Sequence, residues 1–120
     1  MVVRAVRGAI QVDRDDPADI IAGTRELLTE VVGRNGLDPA DLISIVFTLT
    51  PDLTSCFPAR AARDLGLADV PLLCATEVDV PGALPRVVRL LAHVESDRPR
   101  TAICHVYLRG ATRLRPDLAA

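Results

Sequence analysis

The stretch Pro85-Arg86-Val87-Val88-Arg89-Leu90-Leu91-Ala92-His93-Val94 decides the architecture, because it admits two readings that put its charges in different places. Read as a helix opened by Pro85, it gathers Arg86, Arg89 and His93 on one polar face that would simply be solvated. Read as a strand, its period of two sets Arg89 among Val87, Leu91 and His93 on one face of a sheet. Local pattern alone favours the helix.

The segments around it are less ambiguous. Val2 to Val12 is rich in β-branched residues and, at period two, places Arg7 beside Val3, Ala5 and Ala9 while Arg4 faces the other way, which predicts a first strand. Asp16 is a helix N-cap followed by Pro17 at the first helical position and Asp19 in the first turn. Ile20, Leu27, Leu28 and Val31 then share one face, so a helix is predicted from Pro17 to Arg34, stopped near Gly33 or Gly36. Leu42 to Leu49 (LISIVFTL) is almost continuously apolar, the signature of a strand buried on both faces. Pro58 opens a short helix through Leu65, stopped by Gly66; Val70 to Thr76 and Ala102 to Arg109 read as strands, and Pro81-Gly82 as a loop.

With the ambiguous stretch taken as extended, the order is βαβαβββ. Residues 1–120 are then expected to form one α+β domain: a mixed five-stranded sheet with one long and one short helix. So few helices cannot cover both faces of such a sheet. An uncovered face backed by apolar strands predicts an oligomer in which sheets from several subunits meet.

Composition narrows the chemistry. All 14 basic residues are arginine, set against 12 Asp and 4 Glu for a formal charge of −2, and there is no lysine. Schiff-base lysine chemistry and the lysine of a phosphate-binding loop are therefore excluded. The charge balance advertises neither a nucleic-acid surface nor an anionic membrane. Arginine's planar fork suits carboxylates, so small organic dianions are the ligand class to consider. Arg4 and Arg7 interrupt the only apolar stretch near the amino terminus, and no run approaches membrane-spanning length, so a cytoplasmic protein is expected. Cys56, Cys74 and Cys104 are odd in number, widely spaced and free of any C-x-x-C pair, which fits reduced thiols. Cys104, His105 and the distant His93 do not make a zinc set, and no metal site is expected.

Arg7, Arg63, Glu77, Arg89, Tyr107 and Arg115 are polar residues in apolar surroundings. Each alone reads as a surface side chain or a structural ion pair. Together, several arginines held on strands with a single tyrosine and one of four glutamates describe a pocket for a polyanion bearing a hydroxyl. A hydrolase reading lacks support, because Ser44, Ser55 and Ser96 have no nucleophile-elbow context and neither histidine has a triad context.

In this setting an ordered set of segments resembles one known family. Arg4-Ala5-Val6-Arg7-Gly8-Ala9, Thr50-Pro51-Asp52-Leu53, Phe57-Pro58-Ala59-Arg60-Ala61-Ala62-Arg63, Val70-Pro71 with Cys74 and Glu77-Val78-Asp79-Val80, His105-Val106-Tyr107-Leu108 and Leu114-Arg115-Pro116-Asp117-Leu118 resemble the AroH-class monofunctional chorismate mutases. The resemblance implies a homotrimer with a barrel-like core of sheets and active sites between subunits. It implies that Val87 to Val94 is a strand, against the helix favoured by pattern. The implied reaction is the pericyclic rearrangement of chorismate to prephenate in phenylalanine and tyrosine biosynthesis, with no cofactor, nucleophile or general base.

Carried onto this chain, the resemblance implies that Arg89 is the cation at the breaking bond, that Arg7 and Tyr107 bind carboxylate oxygen, and that Glu77 accepts a hydrogen bond from the ring hydroxyl. Cys74 and the backbone of Leu73, Ala75 and Thr76 line the same wall. Phe57, Ala59, Arg60 and Arg63 form a second side, and Leu114 with Arg115 a cover. Leu73 departs from the threonine, and Arg60 from the lysine, seen in family members. Two other readings of an arginine-lined pocket are an enamine or imine deaminase of the Rid type and a non-catalytic sensor of aromatic-pathway acids.

Overall fold

Within the Pro85 to Val94 stretch, everything from Val87 onward is extended in the computed structural model, which describes residues 1–118. Five strands and two helices follow one another as β1 (Val2–Gln11), α1 (Pro17–Arg34), β2 (Leu42–Leu49), α2 (Ala59–Asp64), β3 (Leu72–Thr76), β4 (Val87–Ser96) and β5 (Val106–Leu108). Short 3-10 turns occupy Pro39–Asp41, Arg100–Ala102 and Arg109–Arg113. The sheet order is β3-β2-β4-β1-β5. The central strand β4 is antiparallel to β1 and β2, while β3 and β5 run parallel to β2 and β1, so the sheet is mixed as expected.

The helix favoured locally for this stretch is overturned by long-range pairing. All ten residues of β1 pair with β4 in unbroken register, from Val2 opposite Ser96 to Gln11 opposite Val87, and β2 pairs on the other side. A strand saturated with hydrogen bonds on both edges outweighs a local preference.

Helix α1 keeps its predicted bounds. The Asp16 side chain accepts the Ala18 N–H at 2.8 Å, Pro17 fills the first helical position, and Gly36, at φ +59, carries the chain out. Ile20, Leu27, Leu28 and Val31 are buried against the sheet, joined by Gly23 and Thr24. Gly23 is required by close approach: a Cβ there would lie 2.7 Å from Val12 Cγ1.

Three strands are shorter than expected, for identifiable reasons. The strand expected over Ala102 to Arg109 is reduced to Val106–Leu108. Asn35 takes both backbone groups of Cys104, donating Nδ2–H to its carbonyl at 2.9 Å and accepting its N–H at 2.8 Å, so no ladder forms there. Arg109, at φ +53, ends the strand. The expected Val70 start moves to Leu72 because the Val70 N–H is held in the preceding turn by the Leu67 carbonyl and Pro71 has no N–H to give the ladder. Pro58 and Leu65 flank the short helix as its caps, and Val12 leaves β1 to bond with Arg86.

The main core lies between the helices and one face of the sheet. Val6, Ile10, Ile45, Phe47, Val88 and Val94 point into it and are fully or almost fully buried. Each such side chain contributes about 1.5–3 kcal/mol by leaving water. The alternate residues face away: Val3, Ala5 and Arg7 on β1, Ser44, Val46 and Thr48 on β2, and Arg89, Leu91 and His93 on β4. Within one chain β2 is thus covered on one face only, correcting the expectation of burial on both. At one end the Arg109–Arg113 turn folds over this second face, enclosing Ala9, Val87, Tyr107 and Ala111 in a small second cluster. Elsewhere the face stays open, with Val3 59 % and Leu73 62 % exposed. No helix among the described residues is long and apolar enough to cross a membrane.

Candidate active site

The register of four strand pairs lays a row of residues across the open face. Tyr107 lies beside Ala9, Ala9 opposite Arg89, Arg89 opposite Thr48, and Thr48 beside Ala75. The next row runs Arg7, Leu91, Val46 and Leu73. Arg7 and Arg89 therefore project from neighbouring strands onto one surface, although 82 positions separate them in the chain.

Glu77 follows β3 directly. Its N–H donates to the Leu49 carbonyl at 2.8 Å, which turns the side chain back over the sheet. There its carboxylate accepts the Thr48 hydroxyl at 2.8 Å and stands 3.2 Å from Arg89 Nε. The Arg89 Nε atom is enclosed and lies off the hydrogen-bonding line to Glu77, so the contact is ionic. The side chain as a whole is 42 % exposed, leaving the far end of its fork open to a ligand. Arg89 borders two clefts. One, of about 310 Å³, is lined by Arg7, Val46, Thr48, Leu91 and Tyr107, and the other, of about 240 Å³, by Thr50, Asp52, Glu77, Leu84 and Leu114.

His105 sits just before β5 and supports the same corner. Its Nδ1 accepts the Arg7 backbone N–H at 3.0 Å. Burial first, then the positive charges of Arg7 and Arg115, push its pKa below the ordinary value. Arg115 pairs with Asp117 at 2.8 Å, which raises the guanidinium pKa and holds the carboxyl below its usual range.

The structure gathers only part of the set carried over by resemblance. Arg7, Glu77, Arg89, Tyr107 and Leu114 border the paired clefts. Leu73 and Ala75 lie on the exposed side of β3, whereas the Cys74 side chain, level with Phe47, packs against the core. Thr76 and Phe57 line a separate cleft with Leu49 and Cys56, and Phe57 is 70 % exposed. Arg60 and Arg63 are exposed on α2, while Ala59 is buried in the core, and none of the three borders the Arg89 clefts. Thr48 was missed by sequence reasoning. The period of two in LISIVFTL, which sets Ser44 and Thr48 on one face, was the signal available.

An open face carrying two arginines, a glutamate and a tyrosine on a mixed sheet is a specific arrangement, and comparison with known proteins gives it a family. The family described as chorismate mutase type I matches residues 3–118. The chain belongs to this family. It is 53 % identical over 118 residues to the chorismate mutase AroH of Thermus thermophilus, covering 98 % of this chain and 97 % of that protein. It is 40 % identical over 120 residues to chorismate mutase AroH of Bacillus subtilis, covering 99 % and 94 %. Among solved structures, a chorismate mutase from Clostridium thermocellum superposes with a TM-score of 0.90 at 45 % identity, covering 91 % of this chain and 97 % of that one. The α+β architecture is thus that of the type I chorismate mutases, and the chain is an enzyme with chorismate mutase activity. The deaminase and sensor readings are set aside on the same ground.

Proposed function

We propose that this chorismate mutase works as a cytoplasmic homotrimer of one domain per chain, converting chorismate to prephenate in sites built between subunits. The observation that carries this reading is the division of the arginines. Arg7 and Arg89 border the clefts on the open face, while Arg60 and Arg63 stand exposed on α2, outside those clefts. A neighbouring subunit laid on the open face would bring its α2 arginines, with Phe57, to the open side of the Arg89 clefts, and would bury Val3 and Leu91.

In the rearrangement the ether carbon–oxygen bond breaks as a carbon–carbon bond forms within the same molecule, so atoms and electrons balance without a co-reactant. The site's first task is orientation, holding the enolpyruvyl arm over the ring. Arg7 and Tyr107 bind carboxylate oxygen, and Glu77 accepts the ring hydroxyl's hydrogen bond. The second task is electrostatic. Negative charge grows on the ether oxygen, and the open end of the Arg89 fork stabilises it at little reorganisation cost, because Glu77 and the sheet already hold the side chain. Leu73, Ala75 and Thr76 offer backbone along one wall, with Cys74 between them, and Leu114 and Arg115 cover the end near Tyr107.

Complementation tests the shared site. Arg89→Gln and Arg63→Ala proteins, each of low activity, are unfolded together and refolded as mixed trimers. Activity well above the mean of the separate samples is expected, since some interfaces then contain both native arginines. No gain on mixing would place the whole site within one chain.

A further inference from the structure

The Thr50-Pro51-Asp52 turn follows β2 and borders the cleft that contains Arg89 and Glu77. Asp52 commits both carboxylate oxygens to the protein itself: Oδ1 accepts the Thr50 hydroxyl, and Oδ2 accepts the Arg86 N–H at 2.9 Å. Thr50 then binds the first residue of β4 twice. Its Oγ1 accepts the Val87 N–H and its own N–H donates to the Val87 carbonyl, both at 3.0 Å. Thr50 and Val87 are buried, so these bonds do not compete with water.

What they restrain is unusual. Arg86 has φ +54, a left-handed conformation that a side chain with a Cβ disfavours. Beyond Asp52 it is tied to Val12, whose N–H its carbonyl accepts at 2.8 Å and whose carbonyl its Nε binds at 3.1 Å. Strain of this kind persists only where surrounding bonds over-determine it. Arg89 is three residues further along, on the same face of β4 as Val87.

From this geometry we infer that Asp52 and Thr50 are positioning residues for Arg89: they hold Arg86 in its left-handed conformation and so aim the first residues of β4 that deliver the Arg89 guanidinium to the site. This rests on the reading of Arg89 as the transition-state cation. Without the Asp52 acceptor, Arg86 relaxes toward negative φ, Val87 leaves its seat on Thr50, and the base of Arg89 shifts. A shift of about 1 Å is enough to cost up to about 100-fold in rate. Because the cation acts at the breaking bond, kcat carries most of the loss and KM little of it.

The test is steady-state chorismate turnover by Asp52→Ala, Asp52→Asn, Thr50→Val, Thr50→Ser and the Asp52→Ala/Arg86→Gly double variant, with Arg89→Gln assayed alongside. Asp52→Ala is expected to lose at least about tenfold in kcat. Asp52→Asn keeps an acceptor for Arg86 and should stay near the native rate. Glycine accepts a positive φ without strain, so the double variant should regain much of the loss. If Asp52→Ala does not fold, the Thr50 pair decides, with Val losing kcat and Ser keeping it. Native kcat in folded Asp52→Ala, or no recovery in the double variant, overturns the positioning role. Native kcat in Arg89→Gln overturns the Arg89 reading instead, so the two failures are distinguishable.

Discussion

Replacing Arg89 by glutamine removes the charge and keeps much of the side chain's length and hydrogen-bonding capacity. At an effective dielectric constant of about 20, two unit charges about 4 Å apart interact by about 4 kcal/mol. If about half a charge develops on the ether oxygen, the cation contributes about 2 kcal/mol more in the transition state than in the ground state on that scale. Strengthening of the charge-assisted hydrogen bond adds about 1 kcal/mol. The total, about 3 kcal/mol, predicts a kcat lower by about 100-fold. That agrees with the range of about 10²–10³ for loss of one preorganised donor. Stability should change less, because the Arg89 side chain is 42 % exposed and glutamine keeps a donor for the Glu77 carboxylate, so a loss of about 1 kcal/mol is expected. The assay is the initial rate of chorismate loss at saturating substrate, on protein whose circular dichroism matches the native form. A folded Arg89→Gln variant with kcat within about threefold of native would refute the electrostatic reasoning, since a factor of three is only about 0.65 kcal/mol.

The His105 pKa is depressed by burial and by Arg7 and Arg115, with Arg4, Arg100 and His93 lining the same cleft. Its stabilising contribution is therefore complete above the ordinary value of 6.5 and is lost as pH falls through the lower folded-state value. Melting temperature should fall more steeply as pH drops below 6.5 in the native protein than in His105→Asn, and parallel curves would contradict this. Gly23→Ala sets a methyl 2.7 Å from Val12 Cγ1. Overpacking of about 1–3 kcal/mol outweighs a helix-propensity gain of about 1 kcal/mol, so the urea midpoint should drop; an unchanged midpoint would show that α1 can move away. Leu91→Asp, between Arg7 and Val46 on the open face, should lower the mass in solution from three times 12.9 kDa toward 12.9 kDa. A mass unaffected by that charge would exclude this face as the subunit contact.

Elements defined by contacts within a few residues were readable from the chain alone. The bounds of α1 follow from Asp16, Pro17 and Gly36, all of which act locally. The strand character of Val2–Gln11 and Leu42–Leu49 follows from β-branched runs. The candidate residues Arg7, Glu77, Arg89 and Tyr107 were also legible, through the ordered motifs that identify the family, but their meeting point was not. Thr48 and Asp52 looked like an ordinary strand residue and a turn residue, because their partners lie 29 and 34 positions away.

The family, the long helix, and the exclusion of lysine chemistry by 14 arginines were thus determined by sequence. Local pattern left helix and strand close for Val87 to Val94 and the ordered motifs implied a strand; only the tertiary structure decided that this strand is the central one, with partners on both edges. The same long-range pairing set Arg89 level with Thr48 and within 3.2 Å of Glu77. It also held Arg86 in a conformation its own residue type disfavours, and left one face of the sheet open. Cross-strand register and side-chain bonds to distant backbone groups are relations between parts of the chain that local pattern does not encode.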